Sequence, residues 1–575
     1  MNRRSTRGQL ARYRKHLEYE GRLDFQRYMR FAVYLRLFEC NYGILYNPYD
    51  TDYAGFSVFL NWALRLDLAS RSHWIDLQVG KRECTFPIAT WVVVFVAKYV
   101  LGLRWYSDLL TALQEEHLRT LLGLEQVPSD RSISRGHEDI HPRVMKRVYR
   151  SWARELQRQG QMAGWLIAID STFLVVYGKT YQRVGWSYKP KGRKGYRLTI
   201  AYDGVSCQPI CFLLAPANRP DSKMLLKTVN EVERFLGPNP DRIYLFDKGY
   251  WKGANFQVLD EKGIRFVTQV KWYANITRTL DSQLAADPMR GRQVVELIAN
   301  ANGQDVPGFK GPLRVIAIDD RRGKLAQREA EKEDPDDTSD EIQDDKARPF
   351  CLLTNVWDVS IHRLARYYDR RWEIEEFIRQ AKQSWHLNTF CNTDHNTIKT
   401  HIWLLFYSYS LIRLFRRQVM GQAGQSNHAV GWLRRHLFIR SGRVWPLPGG
   451  GVHITFSHPR QHDPALIAFL TWWCHRERVR LMATLILLGL ISEATTRSQA
   501  SAQPLIHTRW RCSIPVCSSR WTDPIGQANV PANSASPPER VRLPSCQISD
   551  PELAYPDTVI QRGAYIEPLV EDDRP

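Results

Sequence analysis

Two aspartates stand where an apolar run gives way to a turn. WLIAID ends at Asp170 and RIYLFD ends at Asp247. In a core of sheet and helices, strand ends are where ligands and catalytic groups collect. One strand-ending Asp is more often a turn or cap residue. Two on neighbouring strands would aim carboxylate oxygens into one cleft, the donor type that hard cations such as Mg2+ require. A third carboxylate comes from SIHRLARYYDRRWEIEEFIRQAKQSW, read as one helix from Ser360 to about Trp385. Taking Tyr368 as zero at about 100° per residue, Arg371 falls near −60°, Glu375 near −20° and Lys382 near −40°. The four therefore share one narrow stripe beside an apolar face of Tyr367, Ile374, Ile378 and Trp385. Glu373 and Glu376 turn away, which leaves Glu375 as the carboxylate at the edge of the buried face. A solvated face laced with ion pairs would show the same spacing.

Composition sets the class of molecule that carries these residues. The chain has 575 residues, 43% of them hydrophobic, with 19 Trp and 25 Tyr. That is too apolar for a disordered chain and long enough for several domains. Phe86 to Leu103, the best candidate for a membrane span, is interrupted by Pro87 and Lys98, so it reads as a buried helix. No apolar core follows the basic first residues, and no secretory signal is expected. Ten cysteines without a C-x-x-C pair fit reduced thiols, and the 16 histidines show no metal-ligand spacing. A cytoplasmic protein with no membrane partner is expected.

Charge is unevenly distributed. The formal net charge is +20, but Glu329 to Asp345 carries −9 and the last 85 residues −2, which leaves +31 on the rest. Such a surplus points to a polyanion, most simply nucleic acid. From Lys179 to Arg197 there are seven basic residues and no acidic one, interleaved with Tyr181, Trp186, Tyr188 and Tyr196. This stretch, with Lys189, Lys191, Arg193 and Lys194 at its centre, reads as a strand-connecting hairpin that grips DNA backbone. Trp372, beside Arg371, could stack on a base; Trp272 or Trp357 could hold a flipped base if DNA ends are processed through hairpins. For any one tryptophan, core packing is the simpler role.

The elements that must position these groups follow from apolar spacing. Residues 1–160 read as a helical N-terminal domain that binds DNA, with a helix starting at Pro128, Ser129 and Asp130. RLTIAYD and QPICFLLA complete a meander with WLIAID, and RIYLFD and IRFVTQV follow, with helices between them; Asp221 and Ser222 can cap the helix MLLKTVNEVERFL. The fold class is α/β, a mixed sheet flanked by helices. Its core is expected over 161–273 and 350–415, interrupted by a β-rich insertion with an acidic loop at 274–349. A helical region at 416–490 and a disordered, Pro-rich tail at 491–575 complete the chain.

Tyr368, Arg371, Glu375 and Lys382 reproduce Y-x2-R-x3-E-x6-K, which resembles the YREK signature of bacterial insertion-sequence transposases of family four. The words AIDST at Asp170, KGYRL at Lys194 to Leu198, DKGYW at Asp247, and TN ahead of RRWEIEEF are also similar to that group. The resemblance covers roughly residues 160–415. It implies an RNase H-like core in which Asp170, Asp247 and Glu375 form a DDE triad that is both catalytic and metal-binding. Mg2+ is the implied cofactor, with Mn2+ able to substitute; Asp170 would bridge two ions, with Asp247 on one and Glu375 on the other. Tyr368, Arg371 and Lys382 would hold DNA phosphates near the scissile bond. The implied activity is cut-and-paste transposition on double-stranded DNA, the element's terminal inverted repeats and a target, by a homodimer in a synaptic complex at the nucleoid. An RNase H-like nuclease without strand transfer and a degenerate copy that only binds DNA are the alternatives. Two features depart from the family pattern: Pro220 precedes Asp221 where many relatives have His, and the tail has no counterpart.

Overall fold

The computed structural model describes residues 49–68, 71, 72, 74, 75, 86–187, 192–287, 289, 292–319, 349–421, 430–447, 451–456, 469, 472, 473 and 476. All lie within the unit formed by residues 1–501. The basic N-terminal stretch, Lys189, Lys191, the acidic run and the tail fall outside the described residues.

A nine-stranded mixed sheet carries the site. Its strands are β2 (Leu166–Val175), β3 (Gly185–Trp186), β4 (Lys194–Asp203), β5 (Gln208–Pro216), β6 (Ile243–Phe246), β7 (Arg265–Gln269), β8 (Val294–Ala299), β9 (Leu313–Ile318) and β10 (Phe350–Thr354). Their order is β3-β4-β2-β6-β7-β10-β9-β8, with β5 on the same edge of β4 as β3. β2, β6 and β7 run parallel, and every other pairing is antiparallel. The parallel strands are buried on both faces, which is why LIAI and IYLF read as unbroken apolar runs. At the far edge β8 alternates, with Glu296 and Ile298 exposed and Val295, Leu297 and Ala299 buried. There α9 (Ala274–Ala286) covers the open edge: Gln283 accepts from Ile298 N at 2.9 Å and donates to Ile298 O at 2.6 Å, as a further strand would.

The segment 274–349, expected as a β-rich insertion, opens with the helix α9, and its strands β8 and β9 extend the main sheet through β10. Residues 416–490 are not simply helical, because β11 (Gly442–Leu447) and β12 (Gly451–Phe456) form a hairpin joined by β1 (Tyr49–Thr51). Asp221 and Ser222 do not cap α7 (Leu225–Leu236); they begin a separate 3-10 turn, and the α7 N-cap is Met224, without a side-chain cap bond.

Helices flank the sheet. The N-terminal ones are α1 (Ala54–Ala63), α2 (Ile88–Leu101), α3 (Tyr106–Ala112), α4 (Glu116–Leu121), α5 (Asp130–Asp139) and α6 (Pro142–Arg158). Ser129 caps α5, accepting from Ser132 N at 3.2 Å. All fourteen residues of α2 are buried, Lys98 included. Among the described residues no single helix is long and apolar enough to cross a membrane. The remaining helices are α8 (Gly253–Glu261), α10 (Ile361–Asp369), α11 (Trp372–Gln383) and α12 (His395–Phe415). Buried along most of its 21 residues, α12 is a shared wall between the N-terminal helices and the sheet. Its Trp403 ring lies 4.3 Å from Phe212 on β5, 5.7 Å from Phe235 on α7 and 5.4 Å from Tyr149 on α6. Each such pair adds about 0.5–1.5 kcal/mol beyond the area it buries.

Gly195 in the KGYRL word has a steric cause. A Cβ there would meet the Leu174 carbonyl oxygen at 2.1 Å, and that oxygen belongs to the β2 backbone and has no flexible side chain to move. We expect Gly195→Ala to cost about 1–3 kcal/mol, read as a lower urea midpoint with an unchanged m-value.

Candidate active site

The register of two parallel strands brings the aspartates together. β2 and β6 pair in step from Leu166↔Ile243 to Ile169↔Phe246, so Asp170 and Asp247 are the next residues on each. Asp170 does not end its strand, as the sequence suggests. β2 continues to Val175 because its antiparallel pairing with β4 continues, Asp170 facing Ile200 and Val175 facing Gly195. Only the parallel pairing stops there, and it stops because β6 ends. Asp247 leaves the sheet to cap the 3-10 turn Lys248–Tyr250, accepting from Lys248 N at 2.6 Å. Asp170 accepts from Ser171 N at 2.7 Å.

The element opposite is two helices, where the sequence reads one. α10 ends at Asp369 and α11 begins at Trp372; Arg370 and Arg371 lie between them in right-handed helical conformation. Across the joint the amides bond three residues back: Arg370 N to Tyr367 O, Arg371 N to Tyr368 O, Glu373 N to Arg370 O and Ile374 N to Arg371 O. The turn tightens without a Pro or Gly to announce it. The stripe survives this joint. Arg371 pairs with Glu375 at 2.5 Å, its guanidinium stands 5.5 Å from the Tyr368 ring, and the Tyr368 hydroxyl reaches Phe246 O at 3.5 Å. Glu376 is occupied by Arg379 at 2.8 Å, and Glu373 accepts from Cys207 Sγ at 3.6 Å.

Electrostatics tie the stripe to the aspartates. Burial pushes the Asp170 carboxyl up to about 7; Arg371 and the Ser171 amide pull it back, while Glu375 and Asp247 push it further up. The Arg371 guanidinium sits above its ordinary value even though burial alone would pull it down, because Tyr368, Glu375, Asp170 and Asp247 all stabilise its charge. Burial raises the Tyr368 hydroxyl, with Arg371 opposing. It lowers the Lys382 ammonium, with Asp170 opposing. Asp170, Asp247, Glu375, Tyr368, Arg371 and Lys382 are thus one electrostatic group.

Other candidates stand apart. Lys194 opens β4, six residues from the partner of Asp170, which is about 20 Å along a strand. Arg193 is exposed beside it, its carbonyl accepting from Ser187 N at 2.8 Å. Trp372 is 64% exposed on the outer face of α11, Trp357 is 48% exposed, and Trp272 packs half-buried against the core.

A fourth carboxylate adjoins the site and was not singled out for chemistry. Asp221 pairs with Arg197 at 3.1 Å. Its carboxyl is raised by burial and by Asp247, against the pull of Arg197 and Ser171. Ser171 in turn meets Tyr250 at 2.6 Å and Thr199 at 2.8 Å between their hydroxyl groups. Its sequence signals were the acidic residue in PANRPDSKML, which a turn explains equally well, and its place after Pro220, where many relatives have His.

With this geometry in view, comparison with known proteins becomes specific. Residues 162–411 match the model of the transposase DDE domain. The chain is also similar to the probable transposase for insertion sequence element IS5377 of Geobacillus stearothermophilus, 28% identical over 94 residues, or 16% of this chain. It spans about a quarter of that relative's length, 25%. A cryo-EM structure of a piggyBac transposase synaptic complex with hairpin DNA aligns over 68% of this chain and 82% of that one, at 12% identity and a TM-score of 0.34. Every residue of the electrostatic group lies within the transposase DDE match.

Among the described residues no three His, Cys, Asp or Glu side chains close into a metal-holding group, since Glu375 is turned to Arg371. The donor types still fit a hard divalent cation: the Asp170 carboxyl is pushed up first by burial and further by Glu375 and Asp247, and a bound cation would relieve that like-charge repulsion. Because the folded carboxyl of Asp170 is raised from 3.8 to about 7, its ionisation destabilises the metal-free fold progressively as pH rises through that window. We expect Asp170→Asn to melt with wild type near pH 4 and about 2 °C or more above it at pH 8 in EDTA. Coincident melting curves at both pH values would contradict the assignment.

Proposed function

We propose that the protein is an insertion-sequence DNA transposase with an RNase H-like core, acting by cut-and-paste hydrolysis and strand transfer through a DDE triad of Asp170, Asp247 and Glu375. The observation that carries this reading is the in-step placement of Asp170 and Asp247 at the end of their parallel pairing, with the Arg371–Glu375 pair electrostatically coupled to them. Asp170, Asp247 and Glu375 would hold Mg2+, or Mn2+ in its place. When bound, two such ions supply an activated water or DNA 3′-hydroxyl and stabilise the leaving 3′-oxygen of an in-line displacement.

The chain's own residues do the rest. Arg371 offers a planar fork to a phosphate and Lys382 a point charge, both within the field of Asp170. Tyr368 is buried against the end of β6 and fixes Arg371 over its ring, so the fork is aimed before DNA arrives. Exposed Trp372 is free to stack on a base. The partners are the element's terminal inverted repeats and target DNA, engaged by a homodimer.

The test is a cleavage and joining assay with full-length protein, Mg2+ and DNA carrying the ends of its element. We expect end-specific nicking and joining, reduced at least ~10³-fold in Glu375→Gln while DNA binding stays within about twofold. Cutting that persists in the variant would place the active site elsewhere. Cutting without joined product would favour a nuclease, and binding without cutting a binding-only copy. In the same assay Arg371→Lys keeps the charge but loses the fork, and we expect cleavage to fall by ~10-fold or more.

A further inference from the structure

Away from the carboxylates, three separate segments bring cations together. The N-terminus of α12 meets that of α6, where Thr400 donates to Ile140 O at 2.7 Å just ahead of Arg143. The basic hairpin joins the same place: Gln182 N donates to Thr393 O at 3.4 Å, and the Tyr196 ring lies 5.7 Å from His395. Arg143 and Arg183 lie close enough to Lys399 for their charges to repel its ammonium. Among the described residues none of the three meets a carboxylate at ion-pair distance, whereas neighbouring Lys146 is paired with Glu231 at 2.5 Å. His395 is 6% exposed, and its Nδ1 has no hydrogen-bond partner. Arg183 also holds a left-handed backbone, φ 56°, which a non-glycine residue adopts only when its surroundings impose it.

We propose that Arg143, Arg183 and Lys399, with His395 beneath them, form a second DNA-backbone site that holds the duplex away from the point of cleavage. The proposal rests on the DNA-processing reading above and adds to it a site drawn from α6, the hairpin and α12. Unpaired cations cost energy when crowded. The Lys399 ammonium is lowered first by burial and then by repulsion from Arg183, Arg143 and Lys146. A phosphate would relieve that repulsion. Tyr196, which touches His395, lies four residues along β4 from Ile200, the partner of Asp170. That is about 13 Å along the strand, or roughly four nucleotides of one DNA strand, so one duplex can reach both places.

The experiment measures binding of full-length protein to a fluorescein-labelled 30-base-pair duplex by anisotropy across a series of KCl concentrations. Each phosphate contact contributes about 0.9 to the slope of log affinity against log salt. The variant Arg143→Gln/Arg183→Gln/Lys399→Gln should lose about 2–3 from that slope and bind at least ~10-fold more weakly at 0.15 M salt. A control that removes three exposed cations elsewhere, Lys262→Gln/Arg278→Gln/Lys310→Gln, should change the slope by less than about 1. Equal losses in both variants would reduce the effect to bulk charge and overturn the site. An unchanged slope in the cluster variant, with wild type binding normally, would overturn the site and leave the transposase reading standing. Absence of salt-dependent binding by wild type would sink both. Should the triple variant not fold, the pair Lys399→Arg and Lys399→Gln decides: the site requires that Arg keep the slope and Gln lose about 1.

Discussion

The structure depends on one alignment, the in-step parallel pairing of β2 with β6. It ends at Ile169 and Phe246, which makes Asp170 and Asp247 side-by-side carboxylates where one strand stops and the other continues. Burial and like charge both oppose ionisation there, and the Asp170 carboxyl rises accordingly. The fold tolerates this because Arg371 sits within reach, held over Tyr368 and bonded to Glu375. A buried charge cluster of this kind contributes little to stability. It exists at the cost of stability elsewhere, and that is the usual mark of a working site.

The supporting strength comes from the helical layer. α12 joins segments far apart in sequence: Trp403 packs against α6, α7 and the β5 strand, and Trp152 of α6 donates to Ser410 at 2.9 Å. Arg434, in the segment Leu433–Phe438, donates to the carbonyls of Tyr99 and Val100 at the end of α2 and to Ser384 at the end of α11. One guanidinium thus satisfies orphan carbonyls of two helices, and one of those helices carries Glu375 and Lys382. The orientation of the candidate site is therefore shared between the sheet and residues more than 300 positions apart along the chain. The described N-terminal helices share this core with the sheet.

What could be read from the sequence was what local pattern encodes. Strands buried on both faces show as unbroken apolar runs, so LIAI and IYLF were visible, and with them the two aspartates. Helical phase singled out Glu375, and it did so through a joint at Arg370 and Arg371 that no Gly or Pro marks, because a single tightened turn shifts the phase little. Non-local pairing left no such trace. Asp221 meets Arg197 across 24 residues, from a turn to a strand, and reads as a cap until the sheet is assembled. The hairpin β11–β12 gains its third strand from Tyr49–Thr51, nearly 400 residues earlier, so periodicity around residue 442 could not foresee it. Likewise VVELIA and LRVIAI were legible as strands, but their membership of the main sheet depends on β10 pairing with β7 and β9.

The two cations of the stripe are not interchangeable, and the structure gives the reason. Lys382 is half-buried and its ammonium is lowered, with only Asp170 working against burial. Arg371 is more deeply placed, its side chain 14% exposed, yet its guanidinium stays charged because the Tyr368 ring and three carboxylates surround it and because guanidinium is weakly hydrated to begin with. The position that must keep three carboxylates in balance at every pH therefore holds the residue that cannot lose its proton. The position nearer solvent can hold a lysine, whose single point charge suits a phosphate that is still partly hydrated. A lysine at 371 would face the same burial without the delocalised charge that makes it bearable, and the carboxylates would lose their fixed counter-ion.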